Sequence, residues 1–359
     1  MYCTQYILPH VAVANGFNRC VGSLRPPVGG GPARPWVVAR HAHRNAGTER
    51  VAGLEFSPGC SGGVWVPPEH FSRSLTEGFM SELLKIAGVQ MDVRLGECDH
   101  NLSVMLDRLE QAARQGAGLV VFPECALTGY CFESLEEALP YGETVPGPSV
   151  EQFVAACERL RVTAVYGLLE RVEDQLFNVC ALIGPSGFVA AYRKIHLPYL
   201  GIDQFTTPGD RPFAVHEAGG VNIGMNICYD SSFPEAARSM ALDGADVIVL
   251  PTNFPPGAEC TACHVINARA MENGVFYLAV NRVGHERGFP FIGQSKICDV
   301  DGRTLAEAPE DEETIIYADI EIARARNKLR VRVPKKHEIH RFHDRRPEMY
   351  GRLTEPREA

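Results

Sequence analysis

Three residues of this chain have types that could carry acyl transfer: Glu124 in VVFPEC, Lys194 in AYRKIHLP and Cys228 in VNIGMNICYDSSFPE. A thiolate attacks a carbonyl carbon, a carboxylate of raised pKa takes and returns its proton, and fixed positive charge or N–H groups hold the developing oxyanion. Each residue sits where an apolar, strand-like run gives way to a polar or proline-containing turn. A side chain at such a place is held rigidly yet opens onto a loop that a substrate can reach.

Taken singly, each has a plainer explanation. A strand-terminal Glu is commonly solvated or capping, and Lys194 beside Arg193 could be an exposed lysine. Cys228 is one of twelve cysteines, most of which should be inert core residues. His196 could serve Cys228 as a base, but two residues from Lys194 on an extended chain it reads as structural. The turn after Cys228 carries Tyr229 and Asp230, and Pro234 and Glu235 open a helix. That helix end and its N–H groups predict a reactive thiolate. Their shared placement, in the order Glu, Lys, Cys, makes a constellation rather than three accidents.

The elements that must position these residues alternate along the chain. KIAGVQMDV reads as a strand, Asn101 to Arg114 has helical apolar spacing, and GAGLVVFPE is a second, near-continuous apolar strand. Strand, helix, strand in close succession predicts a parallel pair with a crossover helix. Val150 to Arg161 is a further helix, TAVYGLLERV a strand, and FNVCALIGPSGFVAAYRKIH a hairpin turning at Pro185 to Gly187. After the Cys228 strand come a short helix over Pro234 to Asp243, the buried strand ADVIVLPTN, and a helix closed by Asn273 and Gly274, which suit a left-handed cap. Three more strands bring the total to roughly ten, the pattern of one α/β domain.

With 45% hydrophobic and 22% charged residues, the 359-residue chain reads as globular, without an apolar run long enough for a bilayer. A net charge of −9 argues against nucleic acid and for a small-molecule substrate. Irregularly spaced cysteines in a chain this long read as reduced thiols of a cytoplasmic protein. Residues 1–79 hold seven Arg, no Lys or Asp and four Glu, with runs such as RPPVGGGPARP. This predicts a disordered or non-native extension, an Arg-bearing organelle presequence being the alternative. The domain is expected over 80–325, and 326–359 as a basic, solvated tail or an arm packed at a subunit interface.

VVFPE, YRKIHLP and ICYDSSFPE together resemble the Glu, Lys and Cys signatures of the nitrilase, or carbon–nitrogen hydrolase, superfamily. The resemblance spans roughly residues 85–320, and DRRPEMYGRL is similar to the ending of some members. It implies a four-layer-forming α-β-β-α sandwich, usually a homodimer or larger assembly, with neither metal nor organic cofactor. Hydrolysis would run through a thioester at Cys228, with Glu124 as base then acid, and Lys194 with a backbone N–H holding the oxyanion. Tyr229 and Asn253 would support the oxyanion or pocket, and Arg269 and Glu272 the pocket or the fold. Many members carry a second Glu in the loop after the Lys. PYLGIDQFTTPGD has none, and Asp203 is the nearest candidate for that fourth carboxylate.

Cys260, Cys263 and His264 spell CTACH, a short signature of covalent haem attachment. No axial-ligand context accompanies it, and a zinc site would need a second ligand pair, so these residues are expected to begin a helix. Tyr and Asp after Cys228 resemble amidase-type members, which makes a small linear amide the expected substrate. N-carbamoyl compounds are the second expectation and nitriles the third. A catalytically inactive scaffold protein is the rival of another class.

Overall fold

Alternating burial along the strands dictates how this chain layers. In a computed structural model that describes residues 83–356, β1 (Leu83–Gln90) leads through α1 (Cys98–Arg114) to β2 (Leu119–Val121). Then follow α2 (Leu135–Ala138), α3 (Pro148–Leu160), β3 (Thr163–Val172), β4 (Gln175–Gly184), β5 (Gly187–Arg193), β6 (Val215–Ala218) and β7 (Val221–Met225). α4 (Pro234–Leu242), β8 (Val247–Pro251), α5 (Ile266–Asn273), β9 (Phe276–Val280), and the small pair β10 (His285–Glu286) and β11 (Phe289–Pro290) continue the chain. β12 (Lys296–Cys298), β13 (Thr304–Glu307), β14 (Thr314–Glu321), α6 (Ile322–Arg326), β15 (Arg330–Val333) and β16 (His337–Ile339) complete it. The extension expected over 1–79 lies outside the described residues.

Two six-stranded sheets form, in the orders β14-β1-β2-β3-β4-β5 and β13-β12-β9-β8-β7-β6. β1 and β2 pair in parallel across α1, as the strand, helix, strand pattern required. On β2, Leu119 and Val121 point into one core while Val120 points into another. The first core holds residues of both sheets, among them Val121, Leu182, Ile223 and Val249, so the sheets face each other. The second packs Ala87, Val120 and Ala164 against Met105 and Leu109 of α1 and Phe153 of α3. Met240 of α4 and Ile266 and Ala270 of α5 cover the other sheet. The result is the α-β-β-α order, with period-2 alternation directing each sheet's two faces into separate cores.

Boundaries follow local chemistry. Gly274, at φ +56°, caps α5 by donating its N–H to the Ala270 carbonyl. Pro148 occupies the first turn of α3, where its missing N–H costs nothing. The sequence reading of about ten strands falls short by the brief β6, β10, β11 and β13, too short to show a period. It also omits the tail's β15 and β16, which form a two-stranded, mostly exposed ribbon.

Candidate active site

Each candidate residue lies just beyond a strand. After β2, Phe122 still pairs with Val165, and Pro123 and Glu124 then turn away across β3. Gly167 makes that turn possible: a Cβ there would lie 2.4 Å from the Cys125 nitrogen and 2.6 Å from the Pro123 oxygen. Lys194 follows the last residue of β5, its N–H donating 2.8 Å to the carbonyl of Asn178 on β4. Cys228 lies three residues past β7, opening a 3-10 turn over Cys228–Ser232 at φ +44°.

The structure brings Glu124 and Lys194 into contact and adds Asp203. Lys194 Nζ donates 2.7 Å to Glu124 Oε1 and 2.5 Å to Asp203 Oδ2, and none of the three side chains is exposed to solvent. Asp203, from the short turn Gly201–Gln204, is thus a second carboxylate on Lys194. Asn178 Nδ2 bridges the two carboxylates, 2.8 Å from Glu124 Oε1 and 2.8 Å from Asp203 Oδ1. Tyr130 donates its hydroxyl to Asp203 Oδ2 at 2.8 Å. Glu124 Oε2 is buried and has no hydrogen-bond partner among the described residues.

Electrostatics separate the roles these groups can play. Burial, with Asp203 beside it, raises the pKa of Glu124, while Lys194 and Asn178 oppose the rise. Burial alone would lower the pKa of Lys194, but Asp203 and Glu124 hold it well above its ordinary value, so it stays an ammonium. Burial first, and then the charge of Glu124, push the Cys228 thiol up to about 12, against Lys194, the Thr252 side chain and the Asn253 N–H. The reactive thiolate expected at Cys228 is therefore one that a base must generate. The helix end after Cys228 does not outweigh desolvation in a pocket with two carboxylates and one lysine, and the sulfur rests as a thiol that needs a base.

These residues sit in a chain with recognisable relatives. The family model described as carbon-nitrogen hydrolase matches residues 85–328. The chain belongs to the carbon–nitrogen hydrolase family. It is 40% identical over 273 residues to a nitrilase of Pyrococcus abyssi, covering 75% of this chain and all of that relative. It is 35% identical over 231 residues to an (R)-stereoselective amidase of a Pseudomonas species, covering 64% of this chain and 82% of the relative. Among solved structures it resembles a mutant amidase of Nesterenkonia that carries the acetamide moiety of fluoroacetamide on its active-site cysteine. There the TM-score is 0.63 at 23% identity, over 76% of this chain and 97% of the other.

Within this carbon–nitrogen hydrolase, the remaining candidates divide between pocket and frame. Asn253, at the end of β8, is fully buried, and neither Oδ1 nor Nδ2 finds a partner among the described residues. Tyr229 is 39% exposed and packs edge-on against Phe233 at 5.2 Å, so it can serve the site by its N–H rather than by its ring. Arg269 braces the turn after Cys228, donating 3.1 Å to the Ser231 carbonyl and 3.0 Å to Glu272. His196 is structural, as expected: its Nδ1 lies 2.7 Å from Asp230, and its ring stacks on Phe233 at 3.7 Å. Cys260 and Cys263 are exposed at the start of a π turn that runs into α5, so CTACH does begin a helix.

Sequence reasoning missed Asn178, Tyr130 and Asp230. Asp230, fully buried, accepts from Ile227 N at 2.9 Å and the Tyr192 hydroxyl at 2.7 Å, joining the Cys228 turn to β5. For Asn178 one signal was available: an uncharged polar residue in the otherwise apolar run LFNVCALIG. A buried amide in a strand core needs a partner that the strand ladder does not supply. No helix among the described residues is long and apolar enough to cross a membrane.

Proposed function

We propose that this carbon–nitrogen hydrolase cleaves small linear amides through a thioester on Cys228, releasing ammonia and a carboxylic acid. The observation that carries the reading is the asymmetry of the carboxylates. Both oxygens of Asp203 are engaged by cations or donors, whereas Glu124 Oε2 is buried and unpartnered among the described residues. Glu124 suits a proton carrier and Asp203 an anchor that keeps Lys194 charged.

The thiol proton passes to Glu124 Oε2 as sulfur attacks the amide carbon, and the C–O π electrons move onto oxygen. Lys194 and the Tyr229 N–H, which as an early turn N–H lacks an intrahelical partner, receive that oxyanion. Collapse breaks the C–N bond, and the proton on Glu124 leaves with the nitrogen as ammonia. Water then gives a proton to the same carboxylate and its oxygen attacks the thioester. When the C–S bond breaks, sulfur recovers the proton. Asn253, with a donor and an acceptor unmatched, suits the polar end of the amide. The covalent acetamide on the cysteine of the Nesterenkonia amidase supports the sulfur as nucleophile. The Pyrococcus relative's name makes nitriles the competing class.

Mass spectrometry of acid-quenched protein tests the chemistry. An acyl adduct on the wild type, missing from Cys228→Ala, is expected; sustained turnover by Cys228→Ala refutes the mechanism. Ammonia release from amides, N-carbamoyl amino acids and nitriles then ranks the substrates, and amides should lead. Assembly as a homodimer belongs to the same proposal, supported by exposed Leu329, Val331, Val333 and Leu353 in the tail. Light scattering checks it, a monomer being the contrary result.

A further inference from the structure

Two carboxylates share one lysine in this site, and a proton entering the cluster has four oxygens from which to choose. Glu124 Oε1 accepts from Lys194 and Asn178, Asp203 Oδ2 from Lys194 and Tyr130, and Asp203 Oδ1 from Asn178 alone. Asn178 thus joins Lys194 in reaching both acids, and among the described residues it is the only donor on Asp203 Oδ1. Its own geometry leaves no alternative orientation, because the Cys125 thiol lies 3.7 Å from Asn178 Oδ1 and a flipped amide would present that oxygen to two carboxylates. Its backbone carbonyl also accepts from the Lys194 N–H, so one residue fixes the lysine's main chain and both of its counter-ions.

We propose that Asn178 is a positioning residue that directs the catalytic proton: by occupying one oxygen of each acid, it leaves Glu124 Oε2 as the only one open to the Cys228 thiol. The inference rests on the thioester reading above and deepens it. Hydrogen bonding to a carboxylate oxygen lowers that oxygen's basicity, so a proton arriving from sulfur is steered to the unpartnered one. Without Asn178, Asp203 Oδ1 becomes a competing acceptor, and a proton held there is lost to the leaving nitrogen. The ionisable groups around Glu124 are Lys194 after β5, Asp203 in the following turn, Tyr130 and Cys125 in its own loop, Cys180 on β4 and Cys228. Of these, Asp203 is the acid placed to take the misdirected proton.

The test compares Asn178→Ala and Asn178→Ser with the wild type, with two readouts over pH: amide hydrolysis, and alkylation of Cys228 by iodoacetamide. In Asn178→Ala kcat should fall by about 10²-fold with KM little changed, the loss expected when proton transfer is misdirected. The acid limb should move to higher pH in both readouts, because a donor that favours the ionised carboxylates has gone. Asn178→Ser, whose single hydroxyl can reach one acid but not both, should fall between and covers failure of the alanine variant to fold. An unshifted acid limb in a folded variant overturns the proposal even if kcat falls, since a merely structural loss would not move it. Failure of the thioester reading shows separately, as wild-type protein without an acyl adduct, while the alkylation profile still reports on Asn178.

Discussion

Replacing Asp203 by Asn keeps the shape of the side chain and removes its charge, which isolates what the second carboxylate does. Asp203 offers acceptors on both sides, to Lys194 and Tyr130 through Oδ2 and to Asn178 through Oδ1. An amide has one acceptor oxygen, so its NH2 must face either the lysine ammonium or the NH2 of Asn178. Both are donors, and neither orientation restores the network. Removing one partner of a buried ion pair costs about 3–5 kcal/mol, and because Lys194 keeps Glu124 the lower end, about 3 kcal/mol, applies. At this size that lowers the melting temperature by about 5 °C. Lys194 has a raised pKa, so its contribution to stability is complete below its unfolded pKa and lost as pH rises through the folded one. With Asp203 neutral the folded pKa falls, so that loss is complete at lower pH, and the alkaline limb of kcat should descend with it, alongside a fall of about 10²-fold at its optimum. Melting curves by circular dichroism and ammonia release between neutral and alkaline pH supply both numbers. An Asp203→Asn protein with wild-type melting and kcat within about threefold would refute the assignment of Asp203 as anchor.

Three further outcomes follow from the same geometry. Alkylation of Cys228 by iodoacetamide should keep accelerating through alkaline pH, because its thiol is pushed up to about 12; a plateau near neutrality would mean a preformed thiolate. Gly167→Ala should abolish turnover and destabilise the fold by about 1–3 kcal/mol, since its Cβ would strike backbone atoms of the Glu124 turn, and urea unfolding with an activity assay checks both. Tyr130→Phe removes one bond to Asp203 while leaving Lys194 and Asn178 in place, so a loss of about 0.5–3 kcal/mol is expected, with a much smaller drop in kcat than in Asp203→Asn.

Glu124, Lys194 and Cys228 were legible because each stands at the end of its own strand, where apolar pattern and polar turn meet in a few residues of sequence. β2 and β5 share one sheet and β7 belongs to the sheet that faces it, an arrangement a linear pattern can suggest without measuring. Asp203 was legible only as the nearest carboxylate in a loop, and its contact with Lys194 depends on the 3-10 turn that folds it back. Asn178 and Tyr130 were not read, because their importance lies in pairing across 54 and 73 positions of chain. Local periodicity reports burial; it does not report which buried group another buried group will meet. The raised pKa of the Cys228 thiol is illegible for the same reason, since it comes first from burial and then from the sequence-distant Glu124.

Two of the chain's positive-φ residues other than glycine belong to this site: Cys125, at +47°, follows Glu124, and Cys228 itself lies at +44°. Left-handed backbone costs such a residue about 1–2 kcal/mol, so something must hold each turn in place. At Cys228 it is Asp230, accepting from Ile227 and Tyr192, together with Ser231, whose hydroxyl donates 2.7 Å to the Cys228 carbonyl. Beyond Cys125 it is Glu286, buried against Arg282, accepting the N–H groups of Tyr130 and Cys131 at 2.9 and 2.7 Å. Each turn is thus clamped by a carboxylate that takes backbone N–H groups and lies outside the Glu124–Lys194–Asp203 cluster. The acids that build the frame have their lone pairs occupied, and the one acid with an oxygen to spare is the one placed to move a proton.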